Sequence, residues 1–218
     1  MTRLTGPTLP PRNGGAPQQA VVLLHGYGSD GDDLIGLAPF WQEALPEALF
    51  VAPNAPERCP GSPGYQWFAI DYASREVSWD SAAQAREGLV RYLRELWAET
   101  GIAPADTVLA GFSQGAMVAL HAGLSLPETL LGIVAIAGAF KPPPGFGKAP
   151  LGKPPVCLVH GDRDSIVNPR YSAEAATALR AAGIEVHYHV SRGTAHGVAP
   201  DGIAFVNQFI TDLGKKQR

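Results

Sequence analysis

Cysteine is scarce in this sequence, and so is clustered positive charge. Only 2 cysteines occur, Cys59 in a proline-rich stretch and Cys157 in the apolar run "VCLVH". Their separation predicts neither a disulfide framework nor a metal site. The chain carries 17 lysines and arginines against 20 aspartates and glutamates, and its basic residues cluster only in the terminal "KKQR". It therefore lacks the electrostatic footprint of a nucleic-acid-binding protein, and we expect no nucleic-acid partner.

Long apolar runs are also missing. The longest strongly apolar window, residues 130–140, is far shorter than the roughly 20 residues that a membrane-spanning helix needs. The start of the chain, "MTRLTGPTLPPRNGG", has no apolar stretch typical of a secretory signal. A hydrophobic share of 45% over 218 residues is enough for one substantial core. We therefore expect a single domain covering residues 1–218, a cytoplasmic location and no stable membrane insertion.

Short aliphatic runs alternate with longer segments of helical periodicity along the whole chain. The runs predict strands at 20–24, 49–52, 107–110, 132–137, 155–159 and 186–190, the last at a sheet edge because its apolar residues alternate. The longer segments predict helices at about 33–44, 81–99, 114–124, 169–182 and 200–213. Residues 53–79 and 141–154 are irregular. This alternation predicts an α/β fold, with a mostly parallel central sheet and helices on both faces.

The stretch "GFSQG" places Ser113 between Gly111 and Gly115. A predicted buried strand, "DTVLAGF", precedes the serine, and a predicted helix, "QGAMVALHAGL", follows it. A serine at the apex of a sharp strand-to-helix turn is a nucleophile elbow, in which the flanking glycines leave room for neighbouring backbone. The alternative is an ordinary glycine-rich turn. The context favours the elbow, with Ser113 as nucleophile.

A serine hydroxyl needs a base, and the base needs an orienting acid. In this architecture the chain order is serine, acid, histidine. His196, in "SRGTAHGVAP" before the last predicted helix, is the candidate base. Asp162 and Asp164 both follow a buried strand in "HGDRDSIV". Asp164 is favoured because it lies farther beyond the strand, whereas Asp162 suits a role in bracing the loop.

The remaining histidines are weaker candidates for the base. His121 falls inside a predicted helix, where packing or surface roles are common. His187 and His189 share one face of the last predicted strand. His160 immediately precedes the acid loop, and we expect it to support that turn.

Two backbone N–H groups are expected to form an oxyanion hole. One is that of Gln114, directly after the serine and at the positive end of the following helix. The other should come from a loop after an early strand, a description that fits "VVLLHGYGSDGDD". We predict the N–H of Tyr27 as this second donor.

Four segments together, "LLHGYGSDGDDL", "LAGFSQGAM", "HGDRDSIV" and "GTAHGV", resemble the phospholipase/carboxylesterase family of α/β-hydrolases. The resemblance covers residues 20–209 and extends to bacterial carboxylesterases and acyl-protein thioesterases. It implies the α/β-hydrolase fold, the triad of Ser113, Asp164 and His196, and no metal or organic cofactor. It also implies that Trp67 and Phe68, in "YQWFAID", form a wall over the acyl site. From the residues alone, this aromatic pair could instead anchor its loop to the core.

We therefore predict a serine carboxylesterase that acts on small-molecule esters of short to medium acyl chains. Few aliphatic residues occur in the long irregular segment at 53–79, which weakens the case for long lipid tails. The alternatives are an acyl-protein or acyl-CoA thioesterase, or a lysophospholipase, using the same site. From another class, a non-catalytic protein could bind a small ligand on this fold. The oligomeric state stays open, a homodimer included.

Overall fold

A seven-stranded sheet forms the centre of the molecule in the computed structural model, which describes residues 3–70, 79–148 and 151–216. Its strands are β1 (Thr8–Leu9), β2 (Gln19–Leu24), β3 (Ala48–Val51), β6 (Thr107–Phe112), β7 (Gly132–Ile136), β8 (Val156–Gly161) and β9 (Val186–Ser191). They follow the order β1-β3-β2-β6-β7-β8-β9, in which β1 is antiparallel to β3 and the other neighbours are parallel. A separate hairpin pairs β4 (Glu57–Arg58) with β5 (Tyr65–Gln66).

Helices cover both faces of the sheet, because the buried strands present apolar side chains to both sides. In β2, Ala20, Val22 and Leu24 belong to one core cluster, while Val21 and Leu23 belong to the other. The first cluster includes residues of α3 (Trp79–Thr100), α4 (Gln114–Gly123) and α5 (Arg170–Ala181). The second includes residues of α1 (Gly31–Leu34), α2 (Ala38–Trp41) and α6 (Pro200–Lys216). The predicted α/β architecture, with a mostly parallel central sheet and helices on both faces, is confirmed.

The helix predicted at 33–44 is broken into three pieces. Helix α1 ends at Leu34, a turn of 3-10 helix covers Ile35–Leu37, and α2 begins at Ala38. Pro39 lies in the first turn of α2 and has no N–H to donate to the preceding turn, so a new helix starts there.

Two short strand pairings were not predicted. Residues Thr8–Leu9 add an antiparallel edge strand to β3, and the β4–β5 hairpin lies inside the segment predicted as irregular. Each strand is only two residues long, too short for an alternating pattern to be read in the sequence. In the segments predicted as irregular at 53–79 and 141–154, residues 71–78 and 149–150 lie outside the described residues.

The carboxyl ends of the parallel strands meet at one edge of the sheet. The loops after β2, β6, β8 and β9 all leave from this edge, and they carry the residues singled out in the sequence. Binding sites of open α/β sheets lie at this edge. No helix within the described ranges combines the length and apolarity needed to cross a bilayer. Cys59 and Cys157 are buried free thiols.

Candidate active site

Ser113 occupies a strained turn between β6 and α4. Its backbone has φ 54° and ψ −117°, a conformation that side-chain-bearing residues rarely adopt. A Cβ at Gly111 would overlap the backbone of Gly115, and a Cβ at Gly115 would overlap the carbonyl group of Leu24. Both glycines are therefore required by the close approach of the chain. The turn is held because the N–H of Ser113 donates to the carbonyl of Ile136 over 2.8 Å.

The structure brings Ser113, His196 and Asp164 into one hydrogen-bonded chain. Nε2 of His196 lies 2.9 Å from Oγ of Ser113, and Nδ1 of His196 lies 2.7 Å from Oδ2 of Asp164. An ionised carboxylate can only accept, so Nδ1 carries the ring proton. Nε2 of the neutral ring is then the acceptor for the serine hydroxyl. The arrangement can withdraw a proton from Ser113.

Asp164 is buried and fully hydrogen-bonded. Its Oδ1 accepts from the N–H groups of Ile166 and Val167, each over 2.9 Å, which leaves Oδ2 to face His196. Burial acts to raise the pKa of Asp164, but the hydrogen bonds from His196 and the two backbone groups outweigh it and hold the pKa below its ordinary value. Asp164 therefore carries its negative charge when the neutral ring of His196 acts as a base.

Asp162 has a different partner. Its Oδ1 accepts from the N–H of Gly193 over 2.6 Å, and the N–H of Arg163 donates to the carbonyl of Thr194 over 2.9 Å. These bonds join the loop after β8 to the loop after β9, which carries His196. Asp162 thus braces the two loops, and Asp164 is the aspartate that contacts the histidine.

The loop after β2 lies directly against the serine. A Cβ on Gly26 would lie 3.5 Å from Cβ of Ser113 and 3.1 Å from the ring of Phe112. The next backbone N–H is that of Tyr27, on the same loop, and Gln114 is the first residue of α4. Both predicted oxyanion donors are therefore on backbone segments next to Ser113.

His25 holds this loop in place through hydrogen bonds to backbone groups. Its ring is fully buried, with Nδ1 2.7 Å from the carbonyl oxygen of Gly26 and Nε2 accepting from the N–H of Ala55 over 3.0 Å. Because one partner is an acceptor and the other a donor, the ring is neutral with its proton on Nδ1. Burial also lowers the pKa of His25. The Gly26 carbonyl and the Tyr27 N–H belong to one peptide group, so His25 fixes the direction of both.

Gln114 also contributes through its side chain. Its Oε1 accepts from the N–H of Trp67 over 2.8 Å, and its Nε2 donates to the carbonyl of Phe68 over 2.7 Å. The indole N–H of Trp67 in turn donates to the carbonyl of His25 over 2.9 Å. Gln114 therefore links the backbone of Trp67 and Phe68 to the turn at Ser113 through hydrogen bonds.

Trp67 and Phe68 are almost completely buried, 3% and 6% exposed, and both belong to the core. They line a cavity of about 570 Å³ that extends along α3 to the N-terminal segment. Within the described parts of the chain, that lining does not reach Ser113 or His196. Anchoring of the loop to the core is thus observed directly, whereas a wall over the acyl site stays a prediction.

Phe112, one position before the serine, packs beside the histidine. Its ring centroid lies 5.0 Å from that of His196, in a tilted arrangement. The same side chain lies against Gly26, so Phe112 contacts both the loop after β2 and the loop after β9.

As for metals, no cluster of three histidine, cysteine or acidic side chains in residues 3–70, 79–148 and 151–216 could hold an ion.

Comparison with known proteins matches nearly the whole chain to one family. A family model described as Phospholipase/Carboxylesterase matches residues 12–213. Acyl-protein thioesterase 1 of Saccharomyces cerevisiae is 30% identical over 210 residues, covering 88% of this chain and 92% of the yeast protein.

Solved structures also resemble this chain. The crystal structure of esterase PE8 is 44% identical, with a TM-score of 0.91, and covers 97% of this chain and 100% of that one. A Bacillus cereus carboxylesterase has a TM-score of 0.81 at 20% identity, covering 96% of this chain and 94% of its own, which is a likeness of fold.

Replacing Gln114 by methionine tests the tie between the elbow and the aromatic pair. The Gln114→Met variant keeps the backbone N–H and similar volume but leaves a buried N–H and a buried carbonyl without their partner. We expect the free energy of unfolding to fall by about 2–5 kcal/mol, measured by urea denaturation.

Gln66→Met is the matched control. Gln66 is also buried, 5% exposed, but its Nε2 donates to Oε2 of the exposed Glu57, which can turn to water instead. Loss of this hydrogen bond should lower the free energy of unfolding by about 1 kcal/mol or less. An equal decrease in the two variants would contradict the role assigned to the side chain of Gln114.

Proposed function

The chain belongs to the phospholipase/carboxylesterase family of α/β-hydrolases, and on that premise we propose that this serine hydrolase is a carboxylesterase. We infer that its substrates are carboxylic esters of short to medium acyl chains and that Ser113, His196 and Asp164 carry the reaction. The observation that supports this most directly is the hydrogen-bonded chain from Ser113 through His196 to Asp164, with the serine at a strained elbow.

The reaction begins with proton transfer from the serine. Nε2 of His196 takes the proton as Oγ of Ser113 attacks the ester carbonyl carbon. Asp164 stabilises the resulting imidazolium through Nδ1 and keeps the ring in its reactive orientation. The bond to the alcohol oxygen then breaks, and His196 gives its proton to the leaving alkoxide. Ser113 is left as an acyl ester.

Hydrolysis of the acyl-enzyme repeats the sequence with water. His196 removes a proton from a water molecule that attacks the acyl carbon, and the tetrahedral intermediate collapses to release the carboxylic acid. The proton returns to Oγ of Ser113. The N–H groups of Gln114 and Tyr27 are proposed to bind the oxyanion in both steps. Their proximity to Ser113 supports this, because donors fixed by the fold need no reorganisation.

A limit on acyl length is supported by the small number of aliphatic residues in the segment that follows β3, because a long alkyl chain needs apolar side chains to cover it. The 44% identity to a protein described as an esterase also favours ester substrates.

A thioesterase is the second candidate, because of the 30% identity to a yeast acyl-protein thioesterase. The same groups would attack a thioester, with a thiolate as leaving group. A panel of p-nitrophenyl esters and acyl-CoA thioesters with matched acyl lengths separates the two. We expect kcat/KM to favour the esters and to decline for long acyl chains. A thioester preference at every length would instead support the second candidate.

Ser113→Ala removes the nucleophile and keeps the buried turn. We expect a loss of p-nitrophenyl ester hydrolysis of several orders of magnitude, with unchanged thermal stability. A fluorophosphonate should label the wild type once per chain, at Ser113, and should not label the variant. Substantial residual turnover in Ser113→Ala, or labelling elsewhere, would rule out the assignment.

The two aspartates of the acid loop provide a matched pair of variants. Asp164→Asn removes the charge beside Nδ1 of His196, and we expect kcat to fall by about 10³-fold or more. Asp162→Asn keeps an oxygen that can accept from Gly193, so kcat should change by less than about 10-fold. Steady-state kinetics on one ester gives both values. The reverse ranking would transfer the acid role to Asp162.

A further inference from the structure

A second histidine contacts the same carboxylate oxygen as His196. His160, near the end of β8, is fully buried, and its Nε2 lies 3.1 Å from Oδ2 of Asp164. The same nitrogen lies 2.9 Å from the carbonyl oxygen of Val167. On the other side of the ring, Nδ1 lies 2.6 Å from Oγ of Ser172, a buried residue of α5. Oδ2 of Asp164 is therefore shared between an inner histidine and His196.

The partners of His160 determine where its proton lies. The Asp164 carboxylate and the Val167 carbonyl can only accept, so Nε2 must carry a hydrogen. In the neutral ring, Nδ1 then accepts from the hydroxyl of Ser172. Burial lowers the pKa of His160, which favours this neutral form. The single Nε2–H is shared between the Val167 carbonyl and the carboxylate in a three-centre hydrogen bond, so His160 presents a donor, and no full charge, to Asp164.

We propose that His160 is a positioning residue that shares the Asp164 carboxylate with His196 and thereby sets the pH range in which His196 acts as a base. The proposal rests on the function proposed above. With two donors on Oδ2, part of the carboxylate's negative charge is taken up by His160, so less of it stabilises a protonated His196. Without the inner N–H, the protonated form of His196 becomes more stable, and the site loses activity at a higher pH.

The surroundings of His160 offer few other causes for such an effect. The titratable groups that interact with its ring are Asp164, on the loop that follows β8, and His196, on the loop after β9. Helix α5 presents the hydroxyl of Ser172, and the loop after β7 presents the carbonyl of Gly138, which lies 3.2 Å from that hydroxyl. Neither of these two groups changes charge in the working range. The shared oxygen is therefore the link between His160 and the base.

Two amide variants separate the shared contact from packing. In His160→Gln the side-chain amide reaches about as far as Nε2 and still donates to Asp164. In His160→Asn the amide reaches only about as far as Nδ1. The measurement is the pH profile of kcat/KM on a p-nitrophenyl ester, with active sites counted by fluorophosphonate titration. We expect the acid limb of H160N to move to higher pH by about half a unit or more, and that of H160Q to stay within about 0.2 units of wild type.

Ser172→Ala is the control for damage to the cluster. It removes the partner of Nδ1 and leaves Nε2 facing the same two acceptors, so its acid limb should match the wild type. An unshifted limb in H160N, a shift to lower pH, or an equal shift in Ser172→Ala would overturn the proposal. A variant that merely misfolds shows fewer active sites in the fluorophosphonate titration, but the acid limb of its pH profile stays in place. Should H160N not fold, H160L supplies the variant without a donor.

A measurement on the wild type tests the proton assignment without any variant. In protein labelled with ¹⁵N histidine, the ring of His160 should show a neutral Nε2–H pattern that is constant from about pH 5 to pH 9. An Nδ1–H pattern, or titration within that range, would overturn the proposal. If the wild type neither reacts with the phosphonate nor hydrolyses any ester, the proposed function fails, and this spectroscopic result still reports on His160.

Discussion

The close packing of α4 against the end of β2 is the constraint on which the site depends. Gly115 lets the helix approach the Leu24 carbonyl, and Gly111 lets β6 pass under the same turn. The serine between them then has a positive φ, which turns its side chain out of the sheet and toward His196. The same approach sets the start of α4 beside the loop after β2. The positions of Ser113 and of the two predicted oxyanion donors thus follow from the same close packing.

Around this turn, buried polar groups are held by specific partners. His25 orients the peptide group of the loop after β2, and backbone N–H groups hold one oxygen of Asp164. The loops after β8 and β9 are joined by Asp162. Such bonds stabilise little individually, but leaving any of these groups unpaired in the core costs more. These groups are consequently held in place by the fold itself, as the proposed stabilisation of an oxyanion requires.

The sequence predicted those features that lie in short segments and in chain order. The glycines around Ser113, the later aspartate and the still later histidine could all be found this way, and the structure brings them together. The side-chain amide of Gln114 could not be assigned, because its partners lie 46 and 47 positions away. His160 was recognised only as support for a turn, since nothing local points to Ser172 on another helix. Likewise, Pro39 is visible in the sequence, but the break that it causes in the helix predicted at 33–44 was not predicted.

The two roles of Gln114 have a consequence for how this scaffold can diversify. Its backbone belongs to the elbow, while its side chain binds one N–H and one carbonyl of the segment that follows β3. Those partners are main-chain groups, present whatever side chains occupy positions 67 and 68. Substitutions at positions 67 and 68 can therefore change the shape of the nearby cavity, while the hydrogen bonds from Gln114 to the backbone of this segment are preserved. The backbone of this segment can thus stay joined to the elbow through the amide of Gln114 while the side chains at positions 67 and 68 change.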